Sequence, residues 1–279
     1  MFNIYYPCSE DELKILLNEN NATIISGGTD LMVKIKHHVY EEGTLISTSK
    51  IKTLSFIEDD DDFVYIGSAT TLSEIQNSKK VQKFLPMLLE AIRYIGSKQI
   101  RNRATLAGNL VNASPAADTI VPLILLDAEI TVRSLYLKSI HKLEDFITGP
   151  GKTILKNNEY VYSIKIKKQD KNQFSKFIKV GKRNAMAISV ASMGIIYENE
   201  RLKIAFGSVA PTVIRIRDIE NIVPNSMNKE KIIQKCLSNI SPIDDVRSTK
   251  KYRITVIKNL LNKYIEIIER GEFEDALQH

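Results

Sequence analysis

The sequence predicts an α+β chain of two domains, and two observations predict it. Up to about residue 168, short apolar strands alternate with helical patterns and with turns rich in glycine, threonine and asparagine. After a polar stretch at 167–173, the pattern becomes alternating strands in succession and then amphipathic helices. The expected domains are therefore 1–168 and 169–279.

In the first domain, Ser9-Glu10-Asp11-Glu12 reads as a capping box, with Ser9 at the N-cap and Leu13, Leu16 and Leu17 as the apolar stripe behind it. Ala22-Thr23-Ile24-Ile25 is a short buried strand that runs straight into Ser26-Gly27-Gly28-Thr29, after which Asp30-Leu31 opens a helical pattern. Residues 44–47 and 63–67 are strand candidates, and the acidic run 58–62 reads as a solvated hairpin turn. Pro86 suits the first turn of a helix. Residues 120–126 are nearly all apolar and must be buried; 128–132 and 160–166 alternate as strands, with a loop of turn formers at 146–153. In the second domain, 174–180, 187–197 and 202–209 read as a three-stranded antiparallel meander. Residues 228–240 and 251–270 read as amphipathic helices, with Gly271 as the stop.

Composition narrows the chemistry. Of 279 residues, 43% are hydrophobic and 26% charged, an ordinary globular balance. The net charge of +6 is spread among interleaved acids, which disfavours a nucleic-acid surface. Cys8 and Cys236 are the only cysteines, so this chain alone cannot ligate an iron–sulfur cluster or a structural zinc. The start lacks a signal-peptide pattern and no run of ~18 apolar residues exists, so a cytoplasmic protein without a membrane span is expected. The histidines, His37, His38, His141 and His279, sit in no metal-ligand spacing, and G-x-S-x-G and H-E-x-x-H are missing, which argues against hydrolytic or metal chemistry.

Two stretches share an unusual character. Ile24-Ile25-Ser26-Gly27-Gly28-Thr29-Asp30-Leu31 and Thr105-Leu106-Ala107-Gly108-Asn109 each join small residues to Thr or Asn side chains. Neither is a G-x-G-x-x-G or P-loop fingerprint, and either alone is an ordinary tight turn. Together they offer backbone N–H and hydroxyl donors suited to a diphosphate.

These motifs resemble the FAD-binding (medium) subunit of the molybdenum hydroxylases, the xanthine, nicotinate and carbon monoxide dehydrogenase type. The resemblance covers nearly the whole chain. Gln99-Ile100-Arg101-Asn102 and Ser114-Pro115-Ala116-Ala117-Asp118 flank the second stretch as in that family. Lys179-Val180-Gly181-Lys182-Arg183 with Ala187-Ile188 matches the family's lysine–arginine strand. Gly207-Ser208-Val209-Ala210-Pro211-Thr212 and Asp245-Val246-Arg247-Ser248 with Tyr252-Arg253 match its C-terminal domain. The resemblance implies a two-lobed PCMH-type FAD-binding domain followed by a CO dehydrogenase flavoprotein C-terminal domain. It implies FAD as cofactor, with residues 24–31 at its diphosphate and adenosine end, 105–109 at the diphosphate and approaching the flavin, and Asp118, Val161 and Lys179 near it. Ile95 stands where several relatives carry a ring-stacking aromatic and would cap the flavin by apolar contact. It further implies that the molybdenum cofactor lies on a large partner subunit, the 2Fe-2S clusters on a small one, and that FAD passes electrons to NAD or another acceptor. Two alternatives stand beside it: a stand-alone FAD-dependent oxidoreductase of the vanillyl-alcohol oxidase type, and a non-catalytic assembly subunit.

Overall fold

A computed structural model of the chain describes residues 1–170, 173–183, 185–220 and 229–273. In chain order the elements are β1 (Phe2–Tyr5), α1 (Glu10–Glu19), β2 (Ala22–Ile25), α2 (Leu31–Lys36), β3 (Gly43–Ser47), β4 (Ile57–Asp59), β5 (Phe63–Gly67), α3 (Leu72–Asn77) and α4 (Lys79–Phe84). They continue with α5 (Pro86–Arg93), α6 (Lys98–Arg101), α7 (Leu106–Asn112), α8 (Ile120–Leu125), β6 (Glu129–Arg133), β7 (Lys138–Lys142), α9 (Leu143–Phe146), β8 (Ile147–Gly149), β9 (Lys152–Thr153) and β10 (Tyr160–Lys167). The last are β11 (Phe174–Gly181), β12 (Ser189–Glu198), β13 (Arg201–Gly207), β14 (Ile214–Arg215), α10 (Lys229–Asn239) and α11 (Lys250–Arg270). They form two compact units: one comprises Met1–Leu85, Ile95–Ala113 and Asp127–Lys168, the other Pro86–Tyr94, Ser114–Leu126 and the described part of Gln169–His279.

Among the described residues the first unit holds two larger sheets and a two-stranded one. Of the larger two, the smaller is parallel, in the order β1-β3-β2, with Ala22 opposite Thr44 and Phe2 opposite Gly43. Helix α1 buries Leu13 and Leu17 against Ile46, Ile51 and Leu54. The expected N-cap is present, since Ser9 Oγ accepts from Glu12 N–H. The reciprocal half of the box is not: Glu12 Oε2 reaches one residue further and accepts from Cys8 N–H at 2.6 Å. The larger sheet is antiparallel, in the order β4-β5-β10-β6-β7. Its acidic turn is ordered from within, with Asp60 Oδ1 accepting from the N–H groups of Asp62 and Phe63. Glu10 on α1 ties to this larger sheet, accepting from Arg133 and from the Tyr160 hydroxyl, both at 2.9 Å. The 146–153 stretch contains the β8–β9 hairpin.

The second unit is a four-stranded antiparallel sheet, β11-β12-β13-β14, with helices on both faces. The three expected strands are present, and a two-residue strand, β14, extends the edge. Along β12 alternate residues point to opposite faces. Ala191, Met193 and Ile195 pack with Ile257, Leu261 and Ile265 of α11. On the other face Gly194 lies so close to α8 that a Cβ there would stand 2.6 Å from Leu125 Cδ1. Every residue of Ile120–Leu125 is buried. Thr249 caps α11, and Gly271 ends it at φ 69°. No described helix is long and apolar enough to cross a membrane.

Candidate functional site

Strand β2 delivers the first glycine turn, and Thr48 N–H holds its exit by donating to Ile25 C=O at 3.1 Å. Gly28 adopts φ +73°, a conformation that side chains resist, and its carbonyl accepts from Met32 N–H as α2 begins. The second turn is placed from two sides. Leu72 N–H donates to Ala104 C=O at 2.8 Å, and Thr105 pairs with Thr71 in an isolated bridge. Thr105 then caps α7, its Oγ1 accepting from Gly108 N–H at 3.1 Å.

The two turns meet. A Cβ on Gly27 would stand 2.1 Å from Arg103 O, 2.7 Å from Arg103 C and 2.9 Å from Ala104 Cα. Only a residue without a side chain permits that approach. Behind the turns, Lys34 Nζ on α2 donates to Asn112 Oδ1 on α7 at 2.7 Å. The N–H groups of Gly27, Gly28, Thr29, Leu106 and Ala107 donate to no protein acceptor among the described residues. Thr48 Oγ1 beside the first turn is buried and likewise without a partner. Adjacent turns with unpaired donors are the donor set a diphosphate takes, so these residues fit the phosphate portion of FAD.

The other expected residues fall into two groups. Val161 is buried on β10, and Ile95 is half-buried, its carbonyl accepting from Arg101 Nη1 at 3.1 Å. Asp118 and Lys179 come together in the second unit, their side chains 5% and 6% exposed and 2.7 Å apart. Lys179 Nζ also donates to Tyr94 C=O at 3.2 Å. Ser189 Oγ donates to the second Asp118 oxygen at 2.5 Å. Burial pushes the Asp118 carboxyl up from its ordinary value; the Lys179 ammonium and the Ser189 hydroxyl pull it down without cancelling that push.

Sequence reasoning missed Lys34, Asn112, Tyr94 and Ser189. Ser189 directly follows the matched Ala187-Ile188 pair and was the easiest to find. The Asp245…Arg253 motif, recognised without a role, proves to be a clamp. Arg253 is 3% exposed; Nη1 donates to Val190 C=O and Ser208 C=O, and Nη2 to Asp245 Oδ1, each at 2.7 Å. Ser208 N–H in turn donates to Pro115 C=O at 3.0 Å. Through Ser189 and Ser208, the clamped strand ends grip the segment that carries Asp118.

Comparison with known proteins identifies the family. The family model "FAD binding domain in molybdopterin dehydrogenase" matches residues 1–168, and "CO dehydrogenase flavoprotein C-terminal domain" matches 176–268. The xanthine dehydrogenase FAD-binding subunit of Escherichia coli O157:H7 is 29% identical over 266 residues, covering 91% of each chain. The nicotinate dehydrogenase FAD-subunit of Eubacterium barkeri is 32% identical over 200 residues, covering 70% of this chain and 68% of that one. Among solved structures, a chain of carbon monoxide dehydrogenase from Hydrogenophaga pseudoflava superposes with a TM-score of 0.86 at 23% identity, over 94% of this chain and 95% of that one. A chain of quinoline 2-oxidoreductase from Pseudomonas putida 86 superposes with a TM-score of 0.88 at 20% identity, over 97% and 98%. Two turns that fit a diphosphate, on a chain matched by both domain models, place it in one family: it belongs to the FAD-binding subunits of the molybdenum hydroxylases.

Proposed function

We propose that the chain is the flavin relay of a heteromeric, xanthine dehydrogenase-like molybdenum hydroxylase in the cytoplasm. It takes electrons from 2Fe-2S clusters on a small subunit, supplied by a molybdenum centre on a large one, and passes them to NAD or another acceptor. The observation that carries the reading is the pair of adjoining turns with unpaired donors. Relatives named as medium subunits, such as nicotine 6-hydroxylase medium subunit of Paenarthrobacter nicotinovorans, support a partnered role. So does the cysteine content, which is too small for a cluster on this chain.

When bound, FAD supplies the redox chemistry, taking up electrons singly and releasing them in pairs. The chain binds and tunes. Gly27, Gly28, Thr29, Leu106 and Ala107 present fixed N–H donors to the phosphates, with Gly108 and Asn109 continuing the second turn. Ile24, Ile25, Ser26, Asp30 and Leu31 shape the adenosine end, and Ile95 and Val161 give apolar contact. Lys179, held by Asp118 and Tyr94, is the cation that the family resemblance implies near the flavin; there it would favour negative charge on reduction.

Isolation of the native complex through this chain tests the proposal. Molybdenum, iron and two further subunits are expected to co-purify, and the substrate-reduced complex is expected to convert NAD to NADH. Recovery of the chain without metal-bearing partners contradicts the relay role. A complex that reduces another carrier and not NAD assigns the acceptor to that carrier and leaves the relay role standing.

A further inference from the structure

The hydrogen bond between Lys34 and Asn112 behind the turns has no role in the account above, and its position gives it a task. Lys34 sits on α2, directly after the first turn, and Asn112 is the last residue of α7, directly after the second. The bond is 2.7 Å long and half-buried. The close approach of Gly27 to Arg103 and Ala104 is a backbone packing contact, not a directional bond. Surfaces held by packing alone can still rock. A second, directional tie from the middle of α2 to the last residue of α7 removes that freedom.

The chemistry of the tie also matters. Its donor is an ammonium, which makes it a charge-assisted bond, stronger than one between neutral groups. Among the described residues no carboxylate pairs with Lys34.

We propose that Lys34 and Asn112 form a latch that fixes the two turns at the separation FAD requires, making both positioning residues for the cofactor. The proposal rests on the reading that these turns hold the diphosphate. Without the latch the donors remain but must be ordered by the ligand, and that ordering weakens binding. Because one bond is shared, either partner's loss should remove all of it.

A double-mutant cycle on the whole chain tests this, with FAD titrated against the apo forms of wild type, Lys34→Met, Asn112→Leu and the pair. Each single variant is expected to raise the Kd about tenfold. The pair is expected to show about the same loss as either single variant, and Lys34→Arg to recover most of the affinity. The apo forms are expected to melt at the same temperature, since both side chains are partly solvent-exposed. Three results overturn the latch: single variants that bind like wild type, losses that multiply in the pair, or a fall in apo melting temperature that tracks the fall in affinity. A wild-type chain that takes up no FAD instead overturns the reading of the turns themselves, and the latch with it.

Discussion

Gly27→Val is expected to abolish FAD retention while the second unit keeps its fold. A Cβ at this position would stand 2.1 Å from Arg103 O and 2.7 Å from Arg103 C. Both are backbone atoms, and they are not free to swing aside. Leu72 N–H fixes Ala104 C=O immediately downstream, and Ala104 N–H is itself tied to Ile100 C=O at 2.7 Å. The added side chain must therefore push the turns apart. Overpacking of this kind costs about 1–3 kcal/mol, and more where backbone must move. The turns would reach the phosphates singly, and a loss of at least ~100-fold in FAD affinity follows, about 2.7 kcal/mol. Fluorescence titration with FAD, paired with circular dichroism of the apo protein, reads both parts. A Gly27→Val protein that binds FAD like wild type would show that the close approach is unnecessary.

Arg253→Met carries the second large effect, on stability. The guanidinium is 3% exposed and serves two backbone carbonyls and a carboxylate. Removing one partner from a buried charge network costs about 3–5 kcal/mol. For a unit of this size that corresponds to a fall in melting temperature of about 10 °C. Arg253→Lys keeps the charge but not the planar fork, so it should recover only part of the loss. The acid limb gives a second reading. Burial pushes the Asp245 carboxyl up, but the N–H groups of Arg247 and Ser248 and the Arg253 guanidinium outweigh it and bring it from 3.8 to about 2. A carboxyl held low in the folded state adds stability that is complete above its ordinary value and is lost as the pH falls toward 2. Stability of the wild type should therefore decline between about pH 4 and pH 2, and Arg253→Met should flatten that decline. Calorimetry across this range checks both; a variant with an unchanged melting temperature and acid limb contradicts the clamp.

What could be read from the sequence was local. The strand-to-glycine step at Ile25–Ser26, the Ser9 cap and the alternation along β11, β12 and β13 each lie within a few residues, and each appears in the structure. β14 has only two residues, too few for any periodicity to show. The Glu12 carboxylate left its expected partner because Cys8 N–H was within reach, a choice that spacing does not decide. The tertiary contacts were the hidden part. Nothing around Lys34 marks it as the partner of Asn112, since a lysine on a short helix and an asparagine at a helix end are commonplace on surfaces. Gly27 was visible as a turn glycine, but the reason it must be glycine is Arg103, far along the chain. Arg253 was recognised within a motif, yet its role depends on carbonyls of β12 and of Ser208 that only the folded unit brings to it.

The central claim is that the two turns bind the diphosphate of FAD. Titration of the purified apo chain with FAD, followed by flavin fluorescence and by melting temperature, tests it most directly. Saturable uptake with a rise in melting temperature is expected, competed by ADP, which shares the diphosphate, and not by riboflavin, which lacks it. An apo chain that leaves FAD free in solution and melts at an unchanged temperature would contradict it.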